Sequence, residues 1–194
     1  MSEPLAIPEL TTPRWRLRAW VELDADALHA AFGDPETMRF WDSPPQRDVA
    51  ETVAFIRDSR SADPRFHAAF AITSRATGET VGMVNYHERR PERRRLAVGW
   101  ILVRPWRRQG IMREAVPALL NHCFGILGAH RIEARIEAEN APSLRLAEYL
   151  GFQHEGDMRD WTFVDGEPRS VQMHALLRPD WVARRDHVSS TSNP

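Results

Sequence analysis

The segment Ile101-Leu102-Val103-Arg104-Pro105-Trp106-Arg107-Arg108-Gln109-Gly110-Ile111-Met112-Arg113 joins an apolar run to a short basic loop and then to a long amphipathic stretch. Read as strand, loop and helix, it is built for anion binding. The first N–H groups of a helix have no intrahelical acceptor, and they sit at the positive end of the helix dipole. Gly110 has no Cβ, so the backbone can approach a phosphate closely. Arg107 and Arg108 add charge around the same point. A phosphate-bearing ligand held on the N–H groups from Arg108 to Arg113 is the expected guest.

Other polar residues offer acid–base chemistry, each beside a plainer reading. His87 ends an apolar strand and has a side chain that titrates near neutrality. Asn85, two residues back, faces the same side. A solvent-exposed strand end is the simpler account of both. Glu137 and Glu139 lead into the Asn140 turn; either could pass a proton through water, but a surface ion pair is the plainer reading. Ser143 reads as a first-turn helix serine that satisfies a local backbone N–H. Asn140 either orients a ligand or shapes the turn before that helix. His122 and Cys123 lie mid-helix, where packing accounts for them. All 26 basic residues other than His are Arg, so a lysine Schiff base is excluded. A single cysteine, Cys123, excludes an intramolecular disulfide and a cysteine zinc cluster. No His-Glu-x-x-His pattern occurs, and no metal is expected.

The elements that must position these residues follow from periodicity. Arg14–Val21 alternates as a strand. Asp24 caps a helix carrying Ala27, Leu28 and Ala31, which Gly33 and Pro35 stop. A second helix covers 47–60. Phe66–Thr73 and Thr80–His87 form a hairpin across Ala76-Thr77-Gly78-Glu79, and Arg94–Val103 is a strand covered on both faces. Gly110–Leu127 is a long helix with a buried stripe of Met112, Val116, Leu119, Cys123 and Ile126, which Pro117 should kink. Arg131–Ala138 is a strand, Pro142–Leu150 a short helix ended by Gly151, and 161–164 with 170–176 a closing hairpin over Asp165-Gly166. The order predicts an α+β fold with a mixed sheet.

The 194 residues fit a single domain at 14–181, with loose tails at 1–13 and 182–194. A formal charge of −1 argues against sequence-specific nucleic-acid binding, although the arginines of 89–95 could meet an acidic partner such as RNA. No signal peptide or membrane-spanning stretch is evident, so a reducing cytoplasm is the expected location. Trp15, Trp100 and Trp161 lie in strands and suit core or homodimer contacts, and Trp41 suits either core or a pocket wall.

Taken together, several of these segments resemble the GNAT superfamily of N-acetyltransferases. Arg107-x-x-Gly110-x-x is similar to that family's pyrophosphate loop between a strand and a helix. Asn140-x-x-Ser143 and Leu150-Gly151-Phe152 resemble its next segment. Arg16-Leu17-Arg18, Asp34-Pro35-Glu36-Thr37-Met38 and Leu176-Leu177-Arg178-Pro179-Asp180-Trp181 resemble the RimJ/RimL-like branch that acetylates ribosomal-protein N-termini.

The resemblance implies the GNAT fold, a mixed and mostly antiparallel central sheet flanked by helices. It implies acetyl-CoA as co-substrate and a primary-amine acceptor, a protein or peptide N-terminus first and a small molecule second. The pantetheine arm would lie along Ile101, Leu102 and Val103, where the strand splays from the one near Ile136. The pyrophosphate would sit on the N–H groups of Arg108, Gln109, Gly110, Ile111, Met112 and Arg113. Ser143 would meet the departing thiolate and a strand N–H near Leu102 the oxyanion, in direct transfer without an acyl-enzyme.

Three departures from the family pattern stand out. Met112 replaces a preferred Gly or Ala, which would tighten or shift the loop. Ala97 replaces a Glu that many relatives use as base. Ala147 occupies the place of a Tyr acid in another branch, and Tyr149 sits too far round the helix to substitute. They leave room for a GNAT-fold protein that binds CoA or a partner without catalysis.

Overall fold

In the computed structural model, which describes residues 7–190 and their side chains through 185, one eight-stranded sheet organises the chain. Its strands are β1 (Leu10–Thr11), β2 (Trp15–Ala19), β3 (Ala68–Ser74), β4 (Thr80–Arg90), β5 (Arg95–Leu102), β6 (Arg131–Ile136), β7 (Gln153–Val164) and β8 (Glu167–Leu177). The order across the sheet is β1-β2-β3-β4-β5-β6-β8-β7. Only β5 and β6 run parallel, because the helix α4 (Ile111–Gly125) carries the chain across between them.

Strand alternation divides the apolar side chains between two cores. On one face α4 and α5 (Ala141–Leu150) pack Ile111, Ala115, Leu119 and Ala147 against Leu17, Phe70, Tyr86, Leu96 and Ile132. On the other face α1 (Ala25–Phe32) and α3 (Val49–Ser61) pack Leu28, Phe32 and Ile56 against Met83, Ile101 and Val103. The site lies where these two layers meet at the middle of the sheet.

Several local expectations change. Ile126, expected in the buried stripe, is 76% exposed. The helix ends at Gly125, and the chain turns back so that Leu127 and Ala129 reach the core instead, with the Ala129 N–H on the Cys123 carbonyl. Pro35 does not merely end α1; it opens α2 (Pro35–Met38), which Asp34 caps by accepting from the Thr37 N–H. Strand β7 begins at Gln153, well before the expected Trp161. Its polar residues carry no alternating apolar signal because it is an edge strand, exposed along most of its length.

Ordered structure also extends past 14–181, through β1 and through α6 (Arg178–Ser190). The outermost parts of the expected tails, 1–6 and 191–194, lie outside the described residues. Among the described residues no helix is long and apolar enough to cross a membrane.

Candidate active site

The parallel pairing of β5 and β6 covers only Arg95–Ala97 against Arg131–Glu133. Beyond that the strands part, and the fork opens into a cleft of about 510 Å³. Val98, Gly99 and Trp100 line one side of the fork, and Ala134, Arg135, Ile136 and Glu137 the other. The Val103 N–H donates to the Val81 carbonyl, so the backbone groups of residues 101 and 99 face β4 in alternation. Those of Val98, Trp100 and Leu102 face the open edge. The expected pantetheine residues thus divide. Leu102 presents backbone to the fork, whereas Ile101 and Val103 turn backbone to β4 and bury their side chains in the second core.

Next to the fork, α4 begins. Arg108 (φ 62°) and Gly110 (φ 76°) both take left-handed conformations. A left-handed residue next to a right-handed one, as at Gly110 and the first helical residue Ile111, points successive N–H groups to one side and forms an anion-binding concavity. Among the described residues, no N–H from Arg108 to Arg113 meets a protein acceptor. Met112 does not close this loop, because its side chain packs inward into the main core. Arg14 braces the loop from outside, holding Glu114 at 2.7 Å and the Gln109 carbonyl at 3.4 Å.

Of the loop arginines, Arg108 and Arg113 are exposed. The Arg113 guanidinium lies 4.4 Å over the ring of Tyr149, itself a surface residue. Arg107 is turned away from the helix start, with its guanidinium on Thr37 Oγ1 and the Leu102 carbonyl. Arg104 pairs with Asp34 and Glu36. These two arginines tie the loop to α2.

Asn140 and Ser143 sit together on the turn into α5. Asn140 Oδ1 accepts the Ser143 N–H at 3.3 Å, so Asn140 is the helix cap, and both side chains line the cleft. Ser143 Oγ accepts the Trp100 indole N–H at 3.2 Å. Both belong to the face of the main core, against which Trp100 packs.

The opposite face holds a polar trough. His87 is not at an exposed strand end; it is part-buried and lines the cleft with Asn85. An Arg135 guanidinium nitrogen lies 3.2 Å from His87 Nε2. A guanidinium only donates, so Nε2 accepts and the neutral ring carries its proton on Nδ1. Burial, and then Arg135, push this His down to about 4. It is neutral at pH 7 and a poor base.

Glu88, left-handed (φ 49°) at the β4 bulge, pairs with Arg135 at 2.7 Å. Burial acts to raise its carboxyl, but the bond from Arg135 outweighs this and holds it below the ordinary Glu value. Glu137 differs: burial lifts it above the ordinary value. Phe40, Trp41, Asp42 and Phe55 wall the trough from the α1–α3 side, and Trp161, Thr162 and Val171 from the β7–β8 hairpin.

Sequence reasoning had not singled out Arg135, Glu88, Phe40 or Asp42. A signal was present in Glu133-Ala134-Arg135-Ile136-Glu137, whose alternation puts three charged residues on one face of a central strand. Trp161, read as core or dimer filler, is 44% exposed and stacks under Arg135 at 5.1 Å. The arginines of 89–95 serve partly inside the fold, with Arg89 on the Arg65 and Leu127 carbonyls and Arg94 on the Gly128 carbonyl.

Comparison with known proteins agrees with this fold. Residues 14–153 match the acetyltransferase (GNAT) domain family. The chain is 32% identical to the uncharacterized N-acetyltransferase p20 of Bacillus licheniformis, across 89% of this chain and 97% of that one. It is 33% identical over 88 residues to the [ribosomal protein uS5]-alanine N-acetyltransferase of Escherichia coli K12, covering 45% of each chain. Its fold superposes with a TM-score of 0.77 on RimL, a ribosomal L7/L12 α-N-protein acetyltransferase solved with coenzyme A, at 21% identity over 88% of this chain and 98% of that one. The chain belongs to the GNAT family of acetyl-CoA-dependent N-acetyltransferases.

Proposed function

We propose that the protein transfers an acetyl group directly to the free α-amine of a protein or peptide, with small-molecule amines as second candidates. The observation that carries this reading is the fork between β5 and β6. It joins an unpaired N–H cluster on one face of the sheet to a polar, aromatic-walled trough on the other. The N–H groups of Arg108 to Arg113 would hold the pyrophosphate, and the open edge of Val98, Trp100 and Leu102 would pair with the pantetheine arm. Acetyl-CoA supplies the activated acyl group as a thioester.

The residues present suit the remaining work. The Leu102 N–H faces the fork and would stabilise negative charge developing on the carbonyl oxygen. Ser143 uses its oxygen to accept from Trp100, which leaves its own O–H to donate to the departing sulfur. The acceptor arrives as a cation. Asp42, Glu88 and Glu137 beside Phe40, Trp41 and Trp161 provide the carboxylates and aromatic faces that receive one. The cleft is open enough to admit an extended chain end, and the partial likeness to an alanine N-acetyltransferase favours a peptide. The buried Cys123 lies outside the cleft, which supports direct transfer.

The test is calorimetric titration with acetyl-CoA, with Gly110→Glu as the comparison, followed by turnover on a peptide with a free N-terminal alanine and on spermidine. Saturable binding that weakens at least tenfold in the variant, with faster turnover of the peptide, supports the reading. Saturable binding without turnover of either amine would point to a CoA-binding protein without catalysis.

A further inference from the structure

Resting on the acetyl-transfer reading, we infer that Glu137 is the group that takes the proton from the acceptor ammonium. Ile132, Ala134 and Ile136 of β6 point into the main core, so Glu133, Arg135 and Glu137 project to the opposite, acceptor face. Ser143 stands on the main-core face, braced by Trp100. The two are held on one turn: the Asn140 N–H donates to the Glu137 carbonyl at 3.0 Å, and Asn140 Oδ1 accepts the Ser143 N–H. A thioester carbonyl lying in the fork would have Glu137 on the side from which the amine attacks. Ser143 would be on the side where sulfur leaves.

The other titratable groups of the trough are poorly suited; His67, which also lines the cleft, has its Nε2 on Ser59 Oγ at 2.8 Å, and burial lowers its proton affinity. Ala97 offers no carboxylate. Glu88 is committed to Arg135, and His87 gives its Nε2 lone pair to the same guanidinium. Asp42 is exposed. Glu137 keeps an 11% exposed carboxylate whose ion-pair partner, Arg169 of β8, is 3.4 Å away and also serves the Arg39 carbonyl at 3.3 Å. The charged groups around it are Arg169, Arg39 beyond α2, and Glu139 on the same turn. Burial and Glu139 raise its proton affinity against the two arginines, a shift in the direction that favours a base.

The steps balance. The ammonium gives one proton to Glu137, directly or through a water. The amine lone pair forms the C–N bond as the C–S bond breaks. The nitrogen's surplus proton ends on the departing sulfur, and Glu137 returns its own to solvent.

The experiment compares wild type, Glu137→Gln and Arg169→Gln with acetyl-CoA and the alanine peptide from pH 6 to 10, alongside acetyl-CoA calorimetry. Glu137→Gln should keep its acetyl-CoA affinity within about threefold and lose roughly 10²-fold in kcat/KM at pH 7. The gap should narrow as pH rises past the α-amine pKa of about 8, where the acceptor arrives neutral. Arg169→Gln removes a cation beside the carboxylate, so its acid limb should move to higher pH while activity persists above it. A Glu137→Gln variant as fast as wild type throughout overturns the assignment. So does a loss equally deep at pH 10, or a loss of acetyl-CoA affinity, since either marks a structural role. Wild type that binds acetyl-CoA but acetylates neither the peptide nor spermidine sinks the acetyl-transfer reading, and this inference with it.

Discussion

The indole N–H of Trp100 donates to Oγ of Ser143 across the fork between β5 and β6, at 3.2 Å. This bond occupies one lone pair of the serine oxygen and limits where its hydrogen can point. With its oxygen accepting from the indole, the remaining O–H can donate into the cleft. Trp100 therefore does more than fill space, and Ser143 does more than begin a helix.

Removing that hydroxyl should slow the step in which sulfur leaves. Ser143→Ala is expected to lower kcat by about 10²-fold, within the usual range for a positioned acid–base group, with acetyl-CoA affinity little changed. Trp100→Phe keeps the ring but frees the serine rotor, so its loss should be smaller. Steady-state kinetics with parallel calorimetry tests both. An unchanged kcat in Ser143→Ala at every pH would remove Ser143 from the reaction.

Gly99 on β5 makes room for the trough. A Cβ at this position would come within 2.7 Å of Asn85 Oδ1, the far end of a flexible side chain. Gly99→Ala should thus cost little stability, under about 1.5 kcal/mol, because Asn85 can swing aside. It should raise KM for the amine acceptor severalfold and leave acetyl-CoA binding intact. Equal acceptor KM in variant and wild type would show that Asn85 does not border the bound acceptor.

Asp24 anchors the start of α1 beneath the sheet. Its carboxylate is 4% exposed and accepts two bonds from Arg18 at 2.7 Å, one from Thr80 Oγ1 at 2.6 Å and one from the Val21 N–H at 2.8 Å. Asp24→Ala strands the Arg18 charge and should destabilise the fold by about 3 kcal/mol or more. Burial alone would raise this carboxyl, but the bonds from Arg18, Thr80 and Val21 outweigh it and hold it below its ordinary value of 3.8. The folded state therefore binds this proton less readily than the unfolded chain. The Asp24 contribution is complete above the ordinary value and is lost as pH falls through the folded one. Denaturant titrations from pH 7 to pH 3 should show a shallower acid loss in Asp24→Ala than in wild type.

Cys123 is fully buried on α4, and burial pushes its thiol well above the ordinary value. It is therefore a protonated packing residue, not a nucleophile. Cys123→Ala should keep kcat within about twofold and lose a modest amount of thermal stability from the small cavity. Abolished turnover with intact acetyl-CoA affinity would instead argue for an acyl-enzyme.

Much of this molecule is decided within short stretches of chain. The strand, basic loop and helix around Gly110 are legible because left-handed glycine, unpaired helix N–H groups and an apolar run are local properties. The same holds for Asn140 capping α5 and for the apolar stripe of α4 up to Cys123. What no local pattern contains is which strands separate. The pairing of β5 with β6 stops after Ala97 and Glu133, while β6 stays paired with β8 as far as Ile136, and such a break between strands distant in sequence shows only in the assembled sheet. Only then do residues far apart in sequence meet: Trp100 with Ser143, His87 and Glu88 with Arg135, Arg169 with Glu137 and the Arg39 carbonyl. Likewise β7 reads as polar loop until β8 supplies its hydrogen-bonding edge, and Arg107 reads as a phosphate ligand until α2 draws it to Thr37. The sequence by itself determined the strand, loop and helix around Gly110 and the order of the main central elements, since those depend on periodicity and backbone conformation. The tertiary structure decided the polar trough and the partners of its charged residues, because a side chain's charge, tautomer and partners are set by neighbours that only the folded chain brings together.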